Sequence, residues 1–265
     1  MSGVLDAIVA AKELEVEALL RAPVAARGPH VPRRTMASSL RRADGEPLRL
    51  ITENKRRSPS AGALSVALST PDRVARYAEG GAAMISVLCD AQFFGGSWDD
   101  IVSARGALAS MGSSVPVLAK EFILHERQLV EARACGADAV LLIARISGKK
   151  ALGELHARAA GLGLESLVEV VTEEELEWAL DAGAEVVGVN ARDLDTLVMD
   201  AQRAARVLEA IPPACIPIYL SGLKGPEDVA RIARSRAHAA LVGETLMRED
   251  DPRAVLAALV AAAQT

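Results

Sequence analysis

From residue 48 onward, short continuous apolar runs alternate with segments whose apolar positions recur every three or four residues. The runs fall at 48–52, 83–88, 115–119, 137–144, 167–170, 186–189, 216–220 and 239–242. They lack the in-and-out alternation of a half-exposed strand, so they predict strands buried on both faces. Between them lie PDRVARYAEGG, HERQLVEARACG, TEEELEWALDAGA and GPEDVARIARSRA, with acidic residues early and glycine often just past the end, which reads as helix. Doubly buried strands alternating with helices predict a parallel sheet covered on its outside. A spacing of about 27 residues suits one strand, one loop and one helix, and eight such units predict an α/β fold, the (β/α)8 TIM barrel. An open doubly wound sheet shares the same local signals and is the competing architecture.

Residues before 47 do not fit the repeat. They read as a helix near 5–20, a Pro- and Arg-rich stretch ARGPHVPRR at 26–34, and a shorter helix near 36–42. The expectation is one domain over 1–265, with 1–47 as an N-terminal helical extension packed on the barrel. A mobile arm is the alternative, given the Gly-Pro and Val-Pro steps in its middle.

Composition narrows the partners. The 265 residues are 51% hydrophobic and 25% charged, enough apolar material for a large core. Lys+Arg 30 against Asp+Glu 35 gives a net charge of -5, so no global basic field favours nucleic acid or an anionic membrane surface. Aromatics at 3% leave too few platforms for base stacking, and no nucleic-acid partner is expected. Cys89, Cys135 and Cys215 are dispersed and odd in number, which argues against a disulfide framework and fits a reducing cytoplasm. His30, His125, His156 and His238 show no ligand spacing, so no metal is expected. The N-terminus intersperses acidic residues among its apolar ones, unlike a signal peptide, and no run reaches the length of a membrane span.

In a barrel the carboxyl ends of the strands form the reactive face, so what terminates each apolar run is informative. The first run ends in Thr52-Glu53-Asn54-Lys55, the third in Lys120-Glu121-Phe122, the fifth at Glu169 and the sixth at Asn190, followed by Arg192. Period-two alternation puts Glu53 and Lys55 on one side, an acid/base pair aimed into the mouth. Each charge alone would pass for a solvated rim residue. Several opposite charges in one mouth cost several kcal/mol per ion in desolvation unless pairing or function compensates, and that favours a site.

Ser221-Gly222 follows the seventh run and Gly243 the eighth, where barrels commonly cradle phosphate with exposed backbone N–H groups. Ser58, in the Ser-Pro-Ser-Ala-Gly stretch after the first run, adds a hydroxyl. Phe93, Phe94 and Phe122 are all the phenylalanines of the chain, and they cluster after the second and third runs with Trp98 nearby. They suit either a slot for a planar ring or the packing of a long loop.

The ordered motifs resemble the indole-3-glycerol phosphate synthase family: ENKRRSPS at 53–60, SVL with FFGGSW over 86–98, PVLAKEFIL at 116–124, LVEV at 167–170, GVNARDL at 188–194, SGLKGPEDV at 221–229 and LVGETLMREDDP at 241–252. The resemblance covers almost the whole chain, the N-terminal extension included. It implies closure of 1-(2-carboxyphenylamino)-1-deoxyribulose 5-phosphate to indole-3-glycerol phosphate, with loss of carbon dioxide and water and without an organic cofactor or metal. It further implies Lys120 as the general acid at the ketone oxygen, and Glu53 and Glu169 as stabilisers of the cationic intermediate or acceptors of its proton. Lys55 would pair with the substrate carboxylate or assist dehydration, and Asn190 and Arg192 would order the polar groups. By the same resemblance Phe94 and Phe122 flank the ring, and Ser58, Ser221, Gly222 and Gly243 hold the phosphate.

The chain also departs from the family pattern. Leu220 stands where the family typically has a glutamate, Glu121 where Asp is common, Val171 where a His is frequent and Ala191 where Asn is frequent. Leu220 removes a negative charge from a mouth that keeps Lys55, Lys120 and Arg192. Three readings follow: an ordinary synthase, a specialised relative of secondary metabolism acting on a modified anilino-deoxyribulose phosphate, and a barrel that binds the phosphorylated ligand without turnover. Retention of Glu53, Lys55, Lys120, Glu169 and Asn190 disfavours the third. Oligomeric state is not legible.

Overall fold

A closed ring of eight parallel strands carries the molecule, and its order follows the chain: β1 (Arg49–Asn54), β2 (Met84–Leu88), β3 (Val117–Lys120), β4 (Ala139–Ile143), β5 (Glu165–Val170), β6 (Val186–Asn190), β7 (Ile216–Leu220) and β8 (Ala239–Val242), with β8 pairing back onto β1. The barrel architecture is therefore the one expected, and the doubly wound sheet is excluded. This computed structural model describes residues 3–24, 27–28, 34–60 and 62–264. Most of the Pro- and Arg-rich stretch at 26–34, including His30, and Ala61 lie outside the described residues.

The strands form because most of their positions are apolar and they are buried on both faces, with Thr52, Ser86 and Ser166 as buried polar exceptions below the mouth. One layer faces inward, with Ile51, Met84, Leu118, Leu141, Leu167, Ile218 and Leu241 filling the barrel. A second layer, including Val87, Val140, Val168 and Val189, meets the outer helices. Some helices start at a side-chain cap. Ser69 Oγ accepts the Asp72 N–H ahead of the helix Thr70–Glu79, and Thr172 Oγ1 accepts the Glu175 N–H ahead of the helix Glu173–Asp181, whose first turn is all glutamate.

Strand ends differ from the sequence expectation where polar residues finish a strand. β1 runs on through Glu53 and Asn54, β3 through Lys120 and β6 through Asn190. Hydrophobic runs stop short of such residues although the ladder does not. The 137–144 run is shorter as strand than expected, because Ala144 already opens the helix Ala144–Gly161. A two-residue hairpin, Arg57–Ser58 against Gly62–Ala63, follows β1 and had no apolar signal.

The segment before the barrel supplies two helices with different seats. α1 (Val4–Arg21) places Leu5 and Ile8 in the inner core cluster. α2 (Met36–Leu40) buries Met36 and Leu40 in the same cluster, and its first N–H groups, from Met36 and Ala37, donate to the Glu165 carboxylate at the start of β5. Glu165 opens its strand, so α2 sits at the barrel end opposite the mouth.

Candidate active site

The strand register brings the polar strand ends to one level. Glu169 stands opposite Ile143 and Gly188, and Asn190 opposite Leu220. Above them lies a cavity of about 520 Å³, whose lining includes Glu53, Lys55, Lys120, Glu169, Asn190 and Arg192. Phe94, Phe122, Ser58, Leu220, Ser221, Gly222 and Gly243 complete the set expected from sequence, and all of them line this one cavity.

Two ion pairs organise the floor. Lys55 Nζ lies 2.8 Å from Glu53 Oε1, on the common side that period-two alternation requires. Burial by itself raises the Glu53 carboxyl, which is 3% exposed, but the charges of Lys55 and Lys120 outweigh it and hold the group below the usual carboxylate range. Gly243 makes room for this carboxylate: a Cβ there would lie 2.5 Å from Glu53 Oε1. Lys120 Nζ lies 3.7 Å from Glu169 Oε2, an oxygen without a hydrogen-bond partner among the described residues.

A chain of hydrogen bonds fixes the other side. Asn190 Nδ2 donates to Glu169 Oε1 at 2.9 Å, and Asn190 Oδ1 accepts the Ser221 hydroxyl at 2.6 Å and the Arg192 N–H at 2.9 Å. Ser221 and Gly222 both take left-handed backbone, φ 63° and 83°. For serine this is a strained conformation, costing about 1–3 kcal/mol, and such strain concentrates at functional sites. Arg192 is steadied by a bond from Nη1 to the Leu197 carbonyl at 3.1 Å.

Phe94 and Phe122 form a tilted pair, ring centroids 5.8 Å apart and planes at 36°. Of the two roles open to the phenylalanines, lining a slot describes Phe94 and Phe122, while Phe93 packs on the inner core. The loop after β1 is tied to the loop after β2 and to the helix that follows it, since Arg56 Nη1 donates to the Gly95 carbonyl at 2.8 Å and to Asp100 Oδ2, in the first turn of that helix, at 2.7 Å. Lys55, Ser58 and Phe94 therefore ride on one braced unit.

Sequence reasoning missed part of the lining. Val4, Leu5 and Ile8 of α1 close the mouth with an apolar wall, and Lys224 and Arg248 add cations beside Gly222 and Gly243. The two cations sit in loops without a spacing signal. At the floor, Leu220 is 2% exposed and lies with Leu167 over Gly188, where a Cβ would meet its Cδ1 at 2.6 Å. Cys89, Cys135 and Cys215 are free and buried, and no helix among the described residues is long and apolar enough to cross a membrane.

Comparisons with known proteins bear on the family and the fold. The sequence model of a family described as indole-3-glycerol phosphate synthase matches residues 5–259. The chain is 47% identical over 222 residues to an indole-3-glycerol phosphate synthase of Kineococcus radiotolerans, covering 84% of this chain and 79% of that protein. It is 44% identical over 266 residues to the one from Mycobacteroides abscessus, covering 99% and 94%. Among solved structures, tryptophan synthase subunit alpha from Legionella pneumophila is similar in fold, with TM-score 0.65 at 13% identity over 87% of this chain and 98% of that one. On these matches the chain belongs to the indole-3-glycerol phosphate synthase family.

Proposed function

We propose that this chain converts 1-(2-carboxyphenylamino)-1-deoxyribulose 5-phosphate into indole-3-glycerol phosphate, one carbon dioxide and one water. The observation that carries the reading is the Lys120 ammonium 3.7 Å from a buried Glu169 oxygen that has no hydrogen-bond partner among the described residues, within a cavity that also holds the aromatic pair. A proton donor beside a fixed negative charge suits a ring closure that develops alkoxide and then cationic character.

In this reading the ring lies against Phe94 and Phe122, and Ser58, Ser221, Gly222 and Gly243 hold the phosphate with help from Lys224 and Arg248. Lys120 delivers a proton to the ketone oxygen as the ring carbon bearing the carboxylate attacks the ketone carbon. That carboxylate then leaves as carbon dioxide and restores electrons to the ring. The new hydroxyl leaves as water with a second proton, from Lys55 or from Lys120 reprotonated by solvent, and the iminium that remains is stabilised by Glu53 and Glu169 and deprotonated by one of them. Lys55, held by Glu53, offers its charge to the substrate carboxylate or to the departing hydroxyl. Asn190 fixes Glu169 and Ser221 together, so the acid/base and phosphate ends keep one spacing. The whole chain acts as one unit, with residues 1–47 as part of the site, and cytoplasm is its proposed compartment.

A second reading is favoured by Leu220. Its buried side chain gives apolar surface where the family resemblance implies a carboxylate, which suits a relative that acts on a modified anilino-deoxyribulose phosphate. The test is incubation of the purified protein with the unmodified substrate, counting products. One indole-3-glycerol phosphate and one carbon dioxide per substrate support the first reading; binding without product sinks it and directs the search to ring-substituted substrates.

A further inference from the structure

The buried face of α1 runs Leu5, Ile8, Lys12 and Val16, so a lysine occupies a position that helical spacing assigns to the core. Its side chain is 0% exposed. Its ammonium lies 2.8 Å from Asp90 Oδ2, 3.0 Å from Glu121 Oε1 and 2.7 Å from Glu15 Oε2. Asp90 comes two residues after β2 and is fully buried; Glu121 comes directly after β3 and is nearly so. Removing these ions from water costs several kcal/mol each, and apolar packing alone would seat a helix more cheaply.

What the cluster holds is the aromatic wall. Asp90 Oδ1 accepts the N–H groups of Phe93 at 2.6 Å and Phe94 at 2.9 Å, while its other oxygen faces Lys12. Glu121 Oε1 accepts the Phe122 N–H at 2.7 Å and faces the same ammonium. Each carboxylate thus fixes the backbone of one member of the Phe94–Phe122 pair, and one ammonium fixes the carboxylates to each other. One helical turn before Lys12, Ile8 lines the same cavity.

We infer that Lys12, with Asp90 and Glu121, is a positioning unit that sets the separation of Phe94 and Phe122 and so the fit of the aromatic end of the ligand. The inference rests on the proposed function for the identity of that ligand. Lys12 and Asp90 act through the phenylalanine backbone and α1, leaving Lys120, Glu53 and Glu169 in place. Loss of the unit therefore weakens binding of the ring in ground state and transition state alike, which raises KM and spares kcat.

The test measures affinity for two probes by titration calorimetry: the anilino-deoxyribitol phosphate, whose ketone is reduced to an alcohol so that no ring can close, and D-ribitol 5-phosphate, which lacks the ring. Lys12→Met is expected to weaken the first about tenfold or more and the second less than about twofold, with kcat within about threefold of the unaltered protein. Lys12→Met leaves two buried carboxylates facing each other and can lose the fold, so Asp90→Ala is the second variant. It keeps the Lys12–Glu121 pair, frees the Phe93 and Phe94 N–H groups, and is expected to show the same selective loss.

Equal weakening of both probes, or unchanged affinity for the anilino ligand, would overturn the inference, because a merely structural role does not choose between ends of a ligand. So would an unaltered protein that binds the two probes equally. Binding is read with a ligand that cannot turn over, so an unaltered protein that binds it selectively but makes no product from the anilino-deoxyribulose phosphate defeats the proposed function alone.

Discussion

Replacing Lys120 by Met keeps most of the side-chain volume and removes the ammonium. At 3.7 Å from Glu169 Oε2 the charge pair is worth about 4–5 kcal/mol at an effective dielectric of 20, before the opposing desolvation of both groups. General acid catalysis supplies about 10²–10⁴ in rate, or roughly 3–5 kcal/mol, in the proposed step. The two figures describe overlapping effects and do not add. The expected outcome is a fall in kcat of about 10³ or more, with substrate affinity within about fivefold, because the aromatic pair and the phosphate loops are untouched. Steady-state fluorescence of the product gives kcat, and titration calorimetry gives affinity. A Lys120→Met enzyme with kcat within about tenfold of the unaltered protein would refute the reasoning and move the acid elsewhere.

Three further outcomes follow from particular contacts. Gly243→Ala puts a Cβ 2.5 Å from Glu53 Oε1, so the carboxylate must leave its place beside Lys55; kcat/KM should fall about 10- to 100-fold with the far-ultraviolet circular dichroism unchanged. Leu220→Glu puts a carboxylate on the floor of the cavity and should raise kcat for the unmodified substrate at some cost in Tm; unchanged or lower kcat would show a pocket adapted to leucine. Glu121 is pushed up to about 7, chiefly by burial against the pull of Lys12. A carboxyl raised in the folded state favours folding below its unfolded value and loses that advantage as pH rises to about 7, so Glu121→Gln should gain Tm relative to the unaltered protein from pH 5 to 8. A Tm difference independent of pH would contradict this.

The alternation of buried strands and helices was legible because a barrel strand is apolar on both faces, and each run at 216–220 and 239–242 coincides with its strand. Lys120 and Asn190 were legible as ends of runs, although the ladder carries them inside the strands, because hydrogen bonding continues one residue past the last apolar side chain. Composition could not show the hairpin at Arg57–Ser58, which is held by the loop after β2 through the Arg57 N–H to the Phe94 carbonyl at 3.2 Å. Lys12 leaves one trace in the sequence, a charge in the apolar stripe of α1. Its partners Asp90 and Glu121 are 78 and 109 positions away and meet it only through the closed barrel. The same holds for Asn190 bridging Glu169 and Ser221: each was marked by its strand end, and only the register shows that one amide serves both.

The most direct test is steady-state turnover of the unaltered protein with 1-(2-carboxyphenylamino)-1-deoxyribulose 5-phosphate, followed by the fluorescence of indole-3-glycerol phosphate. The account predicts kcat/KM of about 10⁴ M⁻¹s⁻¹ or more, in the ordinary enzyme range, reached with leucine at position 220. Tight binding of that substrate with no indole formed would contradict it.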